Sequence, residues 1–598
     1  MRTTIYPVMK SRILTLLMFV SFAFSAFAYD FEVGDFQYNI ISLSDRTAEI
    51  VGTTNNECEQ VNIPSEVIFN GIGIHVISIG QKVFSENKNL KEVVVGDGIR
   101  KIDNSFYNCK NLSKVELGAH TDSLVNAFNS CTNLKEVTFK SSQCYISGWT
   151  FVNCYNLSII NIPSMEAWCS YVFQCSQFGD NHTVSLYIAG IPIDYVHIPN
   201  GVTHIGKYQF TGIKSITKLD MPSTIKTIGE YSFANTGINN ILIPESCDTI
   251  MDCAFQGLQL EELRIPANVR YIGDLTENRY YGSSYGKIGK LVFSETTDSI
   301  VLGQYNETLT GFFEYMSVYE IELRRPLNKM RYIAGLSGAV TFDYYSECES
   351  LKKVIVGKNF TDLTSGTFLG CTGLDSLIIE DSDTPITFVQ NSQYKERVRH
   401  ERDYIYDYGP RYISEFKDCP LKYVYIGRNI NYQEPNRYWN GDKRQSPFSS
   451  KCMVKEIAIG NNVTSLPDNN LFKNCPIETI CIGERLNEIP EGTFSHTENC
   501  LKTITLRNET PPTYISGFSN YDYLNCKLFI PHSAMDLYKS SEPWGKFLNI
   551  NDLETTGIDN IKTEKDLSKN HIYSINGTKV IAPSKGIYII NGKKVLYK

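Results

Sequence analysis

The sequence predicts a strand-dominated solenoid, a right-handed coil of 22–23-residue turns with an N-terminal β cap and a small C-terminal β tail. Three observations predict it. Phe84, Phe106, Phe128 and Phe151 recur at spacings of 22, 22 and 23 residues. Leu90, Leu112, Leu134 and Leu157 follow them in step, as do Cys109, Cys131 and Cys154. Further on, Ile198-Pro199, Met221-Pro222, Ile243-Pro244 and Ile265-Pro266 keep the period, with Phe210, Phe233 and Phe255 between them. At such a period each turn buries its apolar side only against its neighbours, so the chain is an elongated scaffold whose function lies on a surface.

Residues 1–28 read as a secretory signal: Arg2, Lys10 and Arg12, then an apolar stretch from Ile13 to Phe24, then Ala26-Phe27-Ala28 as the cleavage site. The apolar run is shorter than the roughly 20 residues of a membrane span. Residues 29–60 do not repeat; Phe31, Val33, Phe36, Tyr38 and Ile40 through Ile50 and Val51 alternate as strands that would cap the first rung. A first block of turns spans 61–273, a degenerate stretch or insertion 274–340, and a second block 341–530. Within a turn, the L-x-x-V-x-I/L segment alternates as a strand with one face inward, and Asn, Ser, Gly and Pro mark the returns. The length is short for a strand plus a full helix, so the opposite side is expected to carry short helical or irregular segments. A closing cap follows at 531–550, a polar linker at 551–570, and a β tail at 571–598 with turns at Asn576-Gly577 and Asn591-Gly592.

Composition narrows the function classes. Without the signal, Lys plus Arg falls from 57 to 54 against 65 acidic residues, a net charge of −11, which disfavours nucleic acid and anionic membranes as partners. No later segment is apolar enough to span a bilayer. Of the 17 cysteines, Cys109, Cys131, Cys154, Cys371, Cys419 and Cys475 share one phase of the repeat, where a small apolar side chain is wanted. The expectation is a ladder of reduced, inert thiols, with an occasional disulfide between rungs about 4.8 Å apart left open. With no C-x-x-C, no H-E-x-x-H and nine scattered His, no metal site and no cofactor is expected.

The F-x-x-C-x-x-L-x-x-V-x-I-P/G repeat resembles the BspA-type class of bacterial leucine-rich repeats. So do the opening Val61-Asn62-Ile63-Pro64 with Val83-Phe84, and the closing Phe529-Ile530-Pro531 with Tyr538 and Trp544-Gly545-Lys546-Phe547. The resemblance covers roughly 30–550 and weakens at 274–340 and 380–450. It implies a leucine-rich repeat solenoid and an adhesive role toward host matrix proteins or other cells, an analogy of fold and not of site. The tail, His571 to Val580 and Lys585 to Val595, resembles the β-rich ends of exported Bacteroidota proteins, some of which are type IX sorting signals. That resemblance implies export machinery as a partner; a plain β-hairpin module is the alternative.

Three insertions supply the candidate ligand-binding residues: Arg279, Tyr280, Tyr281 and Tyr285; Tyr404, Tyr406, Tyr408, Arg411 and Tyr412; and Arg437, Tyr438 and Trp439, with Tyr432 nearby. Tyr, Trp and Arg dominate binding hot spots, and insertions on a solenoid tend to share one face. The alternative is that these aromatics pack onto the coil. Asp122-Ser123-Leu124, Asp248-Thr249-Ile250, Asp298-Ser299-Ile300 and Asp375-Ser376-Leu377 resemble an O-glycosylation sequence and are placed in return turns.

The leading reading is a non-catalytic extracellular binding or adhesion protein recognising a protein or glycan through the strand face and the insertions. An exported β-solenoid polysaccharide-active enzyme would need paired carboxylates or a Ca²⁺ site with a base on successive strands, and no such phase recurs; Glu401, Asp403 and Asp407 lie in a charged loop. A structural surface antigen without a specific ligand is the third class.

Overall fold

The structure, a computed structural model, describes residues 29–178, 184–275, 286–303, 316–328, 348–364, 367–368, 371–389, 415–416, 419–433, 446–448, 452–467, 470–494 and 499–553. It also gives the backbone strands Arg397–Arg399, Ile405–Asp407, Ile572–Ser574, Gly586–Ile590 and Lys593–Tyr597. Residues 1–28 and 554–570, expected as the signal and most of the linker, lie outside the described residues.

Parallel strands line two sides of the coil. The front sheet is built from the L-x-x-V-x-I segments: Glu92–Val95, Lys114–Glu116, Glu136–Thr138 and Ile159–Ile162 pair in register, Val93 to Val115 to Val137 to Ile160. Its first stretch ends at Ser185–Ile188, which pairs antiparallel with Ile191–Ile193. From Gln259–Ile265 to Asn549–Asp552, eleven parallel strands among the described residues form one front sheet. That sheet passes through the degenerate stretch without a break, with Leu291 opposite Ile321 and Phe293 opposite Leu323.

The opposite side differs from the expected helical or irregular segments. Short parallel strands of two to four residues, in successive separate sheets, line most of it, such as Lys101–Asp103, Ser123–Val125 and Tyr145–Ser147, then His204–Ile205, Thr227–Ile228 and Thr249–Ile250. A three-residue strand has one inward side chain, Ile102, Leu124 or Ile146, so it leaves no periodicity in the sequence. The hydrogen bonds come from the neighbouring rungs, and a segment too short to be a strand alone is one in the stack. The Asp-Ser/Thr-aliphatic triplets fall here as well as in the front sheet. Ser123, Thr249 and Ser376 each open a strand and do not lie in return turns.

Between the sheets the phenylalanines form columns. Phe84, Phe106, Phe128, Phe151 and Phe178 stack in sequence, as do Phe210, Phe233 and Phe255, and Phe368, Phe416, Phe448, Phe472 and Phe494. Beside them the cysteine thiols donate to the phenylalanine carbonyl of the preceding rung: Cys109 to Phe84 at 3.0 Å, Cys131 to Phe106 at 3.0 Å, Cys154 to Phe128 at 3.2 Å. Burial pushes the Cys144, Cys154 and Cys452 thiols up to about 12, which keeps them protonated and unreactive.

At the N-terminus, Phe31–Val33, Phe36–Ser42 and Thr47–Thr53 form an antiparallel meander whose last strand pairs with Ile72–Ile79. At the other end, Trp544 donates from Nε1 to the Pro512 carbonyl at 2.7 Å, and the Tyr538 hydroxyl donates to the Asn508 carbonyl at 3.0 Å. In the tail, Gly586–Ile590 and Lys593–Tyr597 pair antiparallel, Ile590 opposite Lys593. Ile572–Ser574 pairs antiparallel with Tyr588–Ile590, and the expected turns at Asn576-Gly577 and Asn591-Gly592 lie outside the described residues.

Candidate binding face

The candidate residues of the insertions fall almost entirely outside the described residues: Arg279, Tyr280, Tyr281, Tyr285, Tyr404, Tyr408, Arg411, Tyr412, Arg437, Tyr438 and Trp439. Tyr406 lies on Ile405–Asp407, which pairs antiparallel with Arg397–Arg399, Tyr406 opposite Val398. Tyr432 belongs to the coil: it sits on the back strand Ile430–Gln433, half-buried, with its ring 6.2 Å from Phe388. The aromatic composition around it could not separate that role from a binding one.

The points of departure of these segments share one phase. Back strand Tyr271–Ile272 ends just before 276–285, Ile386–Val389 just before 390–414, and Ile430–Gln433 just before 434–445. Each insertion therefore leaves the coil at the corner that follows a back-sheet strand. This placement depends on back strands that the sequence does not reveal.

The outward face of the front sheet carries two rows of side chains. In the first, strand pairing sets Glu262, Lys290, Glu320 and Lys353 next to one another, alternating in charge. In the second, Ile355, Ile378, Tyr425, Ala458 and Cys481 succeed one another as an apolar row. The Tyr425 hydroxyl donates to Asp381 Oδ1 at 2.8 Å; burial, and then the Asp381 charge, push its phenol well above the usual range. Where the two meet, Glu322 binds Lys290 and accepts from Arg324 Nε at 2.6 Å, and Arg324 reaches on to Glu380 at 2.8 Å. Burial works against the Glu322 carboxylate, yet the hydrogen bonds from Lys290 and Arg324 hold its pKa below the ordinary value. The Glu322 and Glu380 carboxylates are paired with the Lys290 and Arg324 cations.

Glu322 gives a pH signature. Because its folded-state pKa is depressed, its stabilisation is present above the ordinary carboxylate pKa and fades as pH falls through the depressed value. Glu322→Gln is expected to cost about 2 kcal/mol near neutral pH, since Lys290 and Arg324 each lose a charged partner and keep only Glu320 and Glu380. The cost should shrink below about pH 4. Denaturant midpoints of both proteins across pH would check this; a cost that stays constant with pH would refute it.

Comparison with known proteins places the repeat. Residues 55–178, 189–300, 340–442 and 444–541 match the model described as BspA type leucine rich repeat region, in six copies. No curated protein matches the chain. Among solved structures, a leucine-rich repeat protein from Bacteroides ovatus is 19% identical, covering 84% of this chain and 100% of its own, with a TM-score of 0.39. A leucine rich cell surface protein from Faecalibacterium prausnitzii is 17% identical, covering 80% and 94%, with a TM-score of 0.26. A T. pallidum leucine rich repeat protein is 20% identical over 34% of this chain and 88% of its own, also at 0.26.

Proposed function

We propose, given that the chain belongs to the BspA-type leucine-rich repeat family, that it is a non-catalytic extracellular binding or adhesion protein. Its ligand is a protein or a glycan, held by the outward front face together with the Tyr-rich insertions. The observation that supports this reading is that all three Tyr-rich insertions follow back-sheet strands of one phase, Tyr271–Ile272, Ile386–Val389 and Ile430–Gln433. The paired charges of the front face add a preorganised surface at low entropic cost, whereas Ile355, Tyr425, Ala458 and Cys481 are buried and offer no free apolar area.

Export is part of the proposal and rests on residues 1–28. Among the described residues no helix is long and apolar enough to cross a membrane. The three-stranded antiparallel tail suits a role in delivery to the cell surface through export machinery.

The test is binding of the protein to arrayed matrix proteins, mucins and glycans, beside a variant with 276–285, 390–414 and 434–445 shortened. Saturable binding that the shortened form loses supports the insertions as the site. Binding retained in full moves the site to the front face, and no saturable binding by either form overturns the proposal.

A further inference from the structure

In successive corners of the first block, a left-handed residue leads into the stacked phenylalanine. Asn104, Ser105 and Phe106 form one corner, Asn126, Ala127 and Phe128 the next. The third corner has an extra residue. Gly148 keeps the left-handed conformation, with φ +58°, 22 residues after Asn126. Thr150 takes the buried place of Ser105 and Ala127, and its carbonyl accepts from Phe128 N just as that of Ala127 accepts from Phe106 N. The inserted residue is therefore Trp149. Its side chain is 64% exposed, in contrast to the buried Trp168 and Trp544.

The corner that holds Trp149 is pinned from both neighbouring rungs. Gly148 N donates to Gln174 Oε1 at 3.1 Å, and Trp149 N donates to Asn126 Oδ1 at 2.8 Å. The Gly148 carbonyl accepts from Cys175 Sγ and Gln177 Nε2, and Thr150 Oγ1 donates to the Ser147 carbonyl. Because Asn126 and Gln174 turn their carbonyl oxygens to the backbone, their amide NH₂ groups have no protein acceptor among the described residues. Tyr145, 44% exposed, opens the strand that leads into this corner, and Val172, also exposed, lies opposite it on the next strand.

A solvent-facing indole on a pinned corner, next to two side-chain amides, with a tyrosine and a valine on the adjoining strands and no charge in the set, matches the chemistry of a sugar ring. The indole takes the ring's C–H face, and the amides take its hydroxyls. The patch is far smaller than the ~800 Å² per partner of a stable protein interface. Its neutrality gives no purchase on a polyanion. The stacked Tyr208 and Tyr231, in corners of the same phase, do not form such a platform. Their rings lie 5.2 Å apart face to face, and Lys207 sits over Tyr208.

We propose that Trp149, with Tyr145, Asn126 and Gln174, forms a binding site for a neutral β-linked hexose glycan, separate from the Tyr-rich insertions. The test is affinity electrophoresis of the whole protein in gels containing β-1,4-galactan, laminarin or hydroxyethylcellulose. Retardation is expected in at least one gel, and Trp149→Ala should weaken it by about tenfold or more. Trp149→Phe should keep part of the binding. The Trp149→Ala protein should keep its thermal midpoint, since the indole lies outside the core. The variant with shortened insertions should remain retarded, which separates this site from the one proposed above. Absence of retardation in all three gels, or equal retardation of Trp149→Ala and wild type, would overturn the assignment.

Discussion

Phe128→Ala is expected to destabilise the first block of the coil by about 3–5 kcal/mol, the range for deleting a fully buried aromatic side chain. Phe128 is 0% exposed and lies between Phe106 at 5.4 Å and Phe151 at 5.9 Å, with ring planes within 13°. The ring is an internal member of a column, so its loss opens a cavity that neither neighbour can fill without leaving its own stack. In a solenoid each turn contacts only its neighbours, and the damage should stay local. Hydrogen exchange should rise in the amides of residues 100–175, while the rungs around Phe416 and Phe448 keep their protection. Denaturant unfolding would then show an early transition of the first block. A variant within about 1 kcal/mol of wild type would mean that the column is not the stabilising element proposed here.

Arg428→Met is expected to cost about 2–4 kcal/mol, from the loss of three charge-assisted hydrogen bonds partly offset by removal of a buried charge. The Arg428 side chain is fully buried, and burial draws its pKa down to about 10, still far above neutrality. Its guanidinium donates to the carbonyls of Lys358 at 2.6 Å, Gly357 at 2.8 Å and Phe360 at 2.9 Å. Those carbonyls belong to the corner after Lys353–Val356, two front-sheet rungs away, so the side chain clamps across the rung between them. Arg325 makes the same kind of clamp, donating to the Pro266, Asp298 and Ser299 carbonyls. Methionine has similar length and no donor, so it orphans all three acceptors without opening a large cavity. Arg428→Lys should fall between, because one ammonium cannot replace the planar fork. Thermal and denaturant midpoints of the three proteins measure this, and an Arg428→Met protein as stable as wild type would refute it.

Legibility in the sequence followed how local each cause is. The Phe, Cys and Leu columns and the alternating front strands were readable because every turn repeats the same environment, and a repeated environment selects the same residue types at a fixed spacing. The parallel ladder and the family match bear out that solenoid reading. The back sheet was not readable, since strands such as Ser123–Val125 carry one inward residue and depend on their neighbours for pairing. The clamps of Arg325 and Arg428 left no trace in the sequence for the same reason. Their acceptors lie up to 71 residues earlier in the chain, and only the coil brings them together. Trp149 carried a faint signal in the 23-residue spacing before Phe151. Its exposure was settled by the hydrogen bonds that fix Gly148 and Thr150 to the rungs on either side.

By itself, then, the sequence determined the period, the inward columns and the strand-dominated coil, because one apolar contact repeated along an axis needs no long-range information to specify it. The tertiary structure alone decided the second sheet, the buried arginine clamps and the common corner from which the insertions leave. Each of those depends on which turn comes to lie against which, and hydrogen bonds between rungs set that, not the residues within one.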